Sequence, residues 1–134
     1  MKSVLDFLEG HGSSNELLIL GQCPSSNTKP LKNGTYNRLM NWCDFVGISM
    51  FAFHNVIPNK INSYDINDVD EDALYEAVQG KTIIIALGGF VERVCKKYKI
   101  DCYKIDHPSP RNRNLNSKEY EEKMLHDLKE YLNA

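Results

Sequence analysis

The chain has 134 residues, 16 Lys and Arg against 18 Asp and Glu, a net charge of −2 and 42% hydrophobic residues. This is the composition of an ordinary soluble protein, read as a single domain over residues 1–134 with an adequate core. No apolar run approaches the roughly 20 residues of a membrane span, and Asp6 interrupts Val4, Leu5, Phe7 and Leu8, so neither a signal peptide nor a membrane role is expected.

Cys23, Cys43, Cys95 and Cys102 form no CxxC pair. Their scatter suits neither a zinc site nor the disulfide framework of a small secreted protein. Reduced thiols are expected, three of them in the core, with no metal and a cytoplasmic location that includes the nucleoid or a phage-infected cell. Charge is uneven along the chain. Residues 61–80 carry six acids and no Lys or Arg, whereas residues 93–113 carry seven bases against Asp101 and Asp106. Such a basic stretch can hold phosphates on an acidic protein, although Lys96, Lys97 and Lys99 equally suit a solvated helix face.

In chain order, a short helix is expected around Val4, Leu5 and Leu8, ended by Gly10 and Gly12. Leu17 to Leu20 reads as a buried strand stopped by Gly21. A polar loop through Pro24 and Pro30 ends at the Asn33-Gly34 turn. A helix from Thr35 then places Leu39, Met40, Cys43 and Val46 at helical spacing, with Gly47 as its stop. Ser49 to Val56 is rich enough in aromatic and β-branched residues for a second strand, ended by Pro58. Asp70 can cap a helix with Ala73, Leu74, Ala77 and Val78 inward and Gly80 beyond its end. Thr82 to Leu87 predicts a strand covered on both faces. Gly88-Gly89 leads into a helix burying Phe90, Val91, Val94, Cys95 and Tyr98. Cys102 to Ile105 predicts a fourth strand. Ser117 caps a last helix carrying Tyr120, Met124, Leu125, Leu128 and Leu132.

Strands alternating with helices predict an α/β fold with a mostly parallel sheet between two helical layers. Ligands in such folds bind beyond the carboxyl ends of the strands. Two loops there carry unusual chemistry. Gly21-Gln22-Cys23-Pro24-Ser25 combines a tight turn with close access to main-chain amides. His107-Pro108-Ser109-Pro110-Arg111-Asn112-Arg113-Asn114 uses two prolines to stiffen a loop presenting an imidazole, a hydroxyl and two guanidinium groups. His11 and His126 read as surface residues, and alternation turns His54 away from the face used by Asn55.

Gly21-Gln22-Cys23-Pro24 and His107-Pro108-Ser109-Pro110 resemble the two signature loops of the uracil-DNA glycosylase superfamily, in order and spacing. Asn37-Arg38-Leu39 with Trp42 is similar to a helix start found in several of its branches, and Asn55 and Leu87-Gly88 also fit. The resemblance runs from about Leu17 to Asn116. It implies a three-layer α/β/α sandwich around a four-stranded parallel sheet, and removal of uracil or another altered base turned out of DNA into a pocket. On this reading His107 donates a hydrogen bond to the base oxygen as charge develops, and Asn55 holds the base edge. Gly21, Cys23, Pro24 and Ser25 line the pocket, Gln22 holds water, and Tyr36 stacks on the base. Ser109, Arg111 and Arg113 meet single- or double-stranded DNA. Arg111 replaces the family's usual apolar wedge. Cys23 stands where many members carry Asp or Asn to position water. That departure leaves two alternatives: an inactive glycosylase fold that binds DNA or a partner, and an enzyme on free nucleosides or nucleotides. No cofactor is expected, and the protein is expected to be a monomer.

Overall fold

Leu17–Gly21 (β1) lies inside a four-stranded parallel sheet of order β2-β1-β3-β4, flanked by Ala52–Asn55 (β2) and Ile83–Leu87 (β3), with Tyr103–Ile105 (β4) beside β3. The computed structural model describes residues 16–22, 34–58, 65–109 and 112–133. Four helices join or follow these strands: Gly34–Val46 (α1), Glu71–Val78 (α2), Gly89–Lys97 (α3) and Lys118–Asn133 (α4). The opening helix expected near Val4 and the loop from Cys23 to Asn33 lie outside the described residues.

Both faces of the sheet are covered, which explains why its inner strands are apolar throughout. Ile19, Ile85, Leu87 and Ile105 pack with Leu39, Trp42, Cys43 and Val46 of α1 and with Leu125 and Leu128 of α4. On the opposite face, Leu18, Leu20 and Ala86 meet Leu74 of α2 and Val91, Val94 and Cys95 of α3. Crossovers of one hand require this split. The step from β1 to β2 runs one way across the sheet, and the steps to β3 and β4 run the other.

Local chemistry sets most of the boundaries. Gly47 and Gly80 take φ of 84° and 75° just beyond α1 and α2, where a side chain would be strained. The Asp70 side chain accepts from Ala73 N at 3.1 Å, and Ser117 Oγ accepts from Tyr120 N at 3.2 Å. The second strand is shorter than its composition suggests. Pairing with β1 starts only at Leu18↔Ala52, so Ser49 to Phe51 are not part of the ladder. Phe51 is nonetheless buried, so its apolar character reflects packing and not a ladder. Thr82 and Cys102 likewise precede their strands. Cys43, Cys95 and Cys102 are free thiols, and burial pushes the Cys43 thiol up to about 12. No described helix is long and apolar enough to cross a membrane.

Candidate active site

Strand order reverses between β1 and β3, and the crevice beyond the carboxyl ends at such a point is where ligands bind in open α/β sheets. Four residues of the sequence-derived site arrive there. Gly21 ends β1 directly opposite Asn55, the last residue of β2. Past the strand ends, the pairing continues from Val56 N to Gly21 O at 3.0 Å and from Ile57 N to Gln22 O at 2.9 Å. These bonds fix the backbone of Gly21 and Gln22 against β2. A Cβ built on Gly21 would stand 2.6 Å from Phe53 Cζ and 2.7 Å from Asn55 Oδ1. Glycine is therefore what allows the Asn55 amide to lie across the end of β1. Asn55 is only 3% exposed.

Gly88 plays the matching part beside His107. It takes φ 93°, a conformation side chains rarely adopt, and its N–H donates to Ile105 O at 2.8 Å. A Cβ at this position would lie 3.3 Å from His107 Cβ. His107 thus follows β4 and packs against the glycine that opens α3. Burial lowers its pKa below the ordinary imidazole value. The ring is consequently neutral near pH 7, with one nitrogen able to donate and the other to accept.

A polar cluster behind His107 was not singled out from the sequence. Asp106, 7% exposed, accepts from Tyr120 OH at 2.7 Å, Asn112 Nδ2 at 3.0 Å and Asn114 Nδ2 at 3.2 Å. Asn112 Nδ2 also donates to His107 O at 3.2 Å, and Asn112 Oδ1 accepts from Asn114 N at 3.1 Å. Burial opposes the charge on Asp106, but the bonds from Tyr120, Asn112 and Asn114 outweigh it and hold the carboxyl below its usual range. Tyr120, expected on the apolar stripe of the last helix, is 41% exposed and presents its hydroxyl to this carboxylate. An acid directly before the His-Pro loop, with two asparagines inside it, is the sequence signal for this cluster.

The other candidates are placed as follows. Gln22 is half-buried just past β1, and Tyr36 is half-buried in the first turn of α1, packed against the cluster around Ile19. Arg38 and Trp42 turn to α4, where Trp42 Nε1 donates to Glu121 Oε2 at 2.9 Å and Arg38 Nε lies 3.5 Å from the same oxygen. The backbone oxygen of Ser109 accepts from Asn112 N at 3.0 Å. Arg113 is exposed in the 3-10 turn Arg113–Asn116. Cys23, Pro24, Ser25 and Arg111 lie outside the described residues.

His54 borders a separate cavity with Glu76 and Lys81, on the α2 side of the sheet. His126 is exposed, its ring edge-on to Phe45 at 5.3 Å. Among the described residues no group of three or more His, Cys, Asp or Glu is placed to hold a metal ion. Comparison of the sequence with protein-family models and with curated proteins gives no match.

Proposed function

We propose that the protein is a glycosylase that hydrolyses the N-glycosidic bond of uracil or another altered base turned out of DNA. The observation that carries this reading is the pair of glycine-backed polar side chains beside the reversal of strand order, Asn55 over Gly21 and His107 against Gly88. An amide supplies one donor group and one acceptor, the pattern needed to hold a pyrimidine edge. As the bond to the sugar breaks, negative charge grows on the base. A fixed, neutral imidazole donates to that charge without having to give up hydration at the moment of reaction. The low pKa of His107 supports the donor being neutral. On this reading Gln22, whose backbone is held to Ile57, binds the attacking water through its side-chain amide but has no basic group.

The test is base release from single-stranded and duplex oligonucleotides carrying uracil, hydroxymethyluracil, hypoxanthine or a thymine mismatch, read as strand cleavage after alkali. The wild-type protein releases at least one of these bases. His107→Ala lowers that rate by about 10²–10³, the usual loss for one charge-stabilising donor, and DNA affinity changes far less. Binding without release by the wild-type protein overturns the enzymatic reading. Release from deoxyuridine alone moves the substrate to free nucleosides.

A further inference from the structure

Nothing in base release calls for a buried carboxylate one residue before the imidazole. Negative charge there works against the charge that develops on the base, and keeping an ion away from water is costly unless its partners are fixed. Asp106 meets that condition: three side-chain donors fill its two oxygens, and it donates nothing in return. The path from this carboxylate to the imidazole is short. Asn112 Nδ2 bonds both Asp106 Oδ2 and the His107 carbonyl. His107 is thereby held through its carbonyl by Asn112 and packed at its Cβ against Gly88.

We infer that Asp106 is a positioning residue for His107, acting through Asn112 to fix the loop that aims the imidazole into the crevice. The inference rests on the reading of His107 as the donor to the base. Asp106 touches neither base nor sugar on this account, and its two oxygens serve to collect Tyr120, Asn112 and Asn114. Lys104 adds a weaker attraction to the same carboxylate. The imidazole feels the cluster as geometry, since burial is what lowers its pKa.

Asp106→Ala, Asp106→Asn and Tyr120→Phe separate these roles, each measured for kcat and KM on a uracil oligonucleotide and for the His107 pKa by NMR titration. Loss of aim costs transition-state contacts only, so Asp106→Ala lowers kcat about 10²-fold with KM little changed. Its His107 pKa climbs toward 6.5 as water reaches the ring. Asp106→Asn largely restores both readouts, because its oxygen keeps the two asparagine donors and the Tyr120 hydroxyl can turn to accept. Tyr120→Phe gives a smaller change of the same sign. A folded Asp106→Ala protein with wild-type kcat and an unmoved His107 pKa overturns the inference. Should that variant not fold, Tyr120→Phe alters an exposed ring and decides in its place, unchanged values of both readouts again overturning it. Should the wild-type protein release no base, the glycosylase reading fails on its own, and the His107 titration alone decides whether Asp106 positions the loop.

Discussion

Replacing Gly21 with Ala puts the packing at the end of β1 to a direct test. The added methyl would stand 2.6 Å from Phe53 Cζ and 2.7 Å from Asn55 Oδ1, where ordinary contact begins at 3.4 Å. Both obstructing groups must retreat, Phe53 by about 0.8 Å and Asn55 by about 0.7 Å, or Gly21 itself must shift, to remove the overlaps. Neither can swing into solvent, since both side chains are buried. The cost therefore falls in the upper part of the overpacking range, about 2–3 kcal/mol. For a domain of this length that lowers Tm by roughly 6–15 °C. If Asn55 meets the base as proposed, a displacement approaching 1 Å there costs up to about 10²-fold in rate, and activity falls further than stability alone explains. Thermal unfolding and base release below the new Tm read the two effects separately. Phe53→Leu shortens one obstruction, and the Gly21→Ala penalty should shrink in that background, a coupling of about 1 kcal/mol in a double-mutant cycle. A Gly21→Ala protein with unaltered Tm and unaltered base release refutes the close packing of Asn55 on Gly21.

The remaining expectations concern stability, pH and DNA contact. Asp70→Ala removes the α2 cap and costs about 1 kcal/mol by chemical denaturation, with base release unchanged. Acid should destabilise the protein in two stages. Burial lowers the pKa of His107 and, against an opposing Asp70, that of His54. The unfolded chain thus takes up protons first as pH falls below 6.5, at a cost of up to about 1.4 kcal/mol per pH unit for each group. The second stage begins below 3.8, where Asp106 is protonated in the unfolded chain before the folded one. Denaturation midpoints against pH check this, and His107→Gln should weaken the first stage only. Arg113→Ala should weaken DNA binding and reduce the slope of log K against log salt by about 0.9 on duplex DNA. An unchanged slope would remove Arg113 from the DNA-facing surface.

Punctuation made the fold legible. Gly47 and Gly80 stop their helices where the sequence places the stops, and Asp70 and Ser117 accept the capping bonds expected of them, whereas Gly21 is itself the last residue of β1 and bonding to the segment after β2 runs on to Gln22. Strand ends were less legible, because Phe51 is buried by packing while pairing begins only at Ala52. A β-rich composition does not record which residues have a neighbour opposite. At the candidate site, His107 stood out by residue type and position after a strand, and Asn55 through the resemblance of the two loops to a known family. The Asp106 cluster did not, since it joins a strand end, a loop and the first turns of α4 across 14 residues of chain. Nor does helical periodicity tell that Tyr120 serves as a hydrogen-bond donor. The glycines at 21 and 88 were legible as turns, but the two side chains that need them bare were visible only in three dimensions.

The Trp42–Glu121 contact also gives the protein a built-in optical reporter. Trp42 is the single tryptophan of the chain, 3% exposed, with its indole N–H bonded to a carboxylate on α4. Its emission therefore reads one event, the seating of α1 on α4, undiluted by other indoles. Separation of the two helices would expose the ring and move its emission to the red, whereas fraying of α2 or α3 on the opposite face would leave the spectrum still. A ligand that shifts α1 against α4 would register in the same signal without any label.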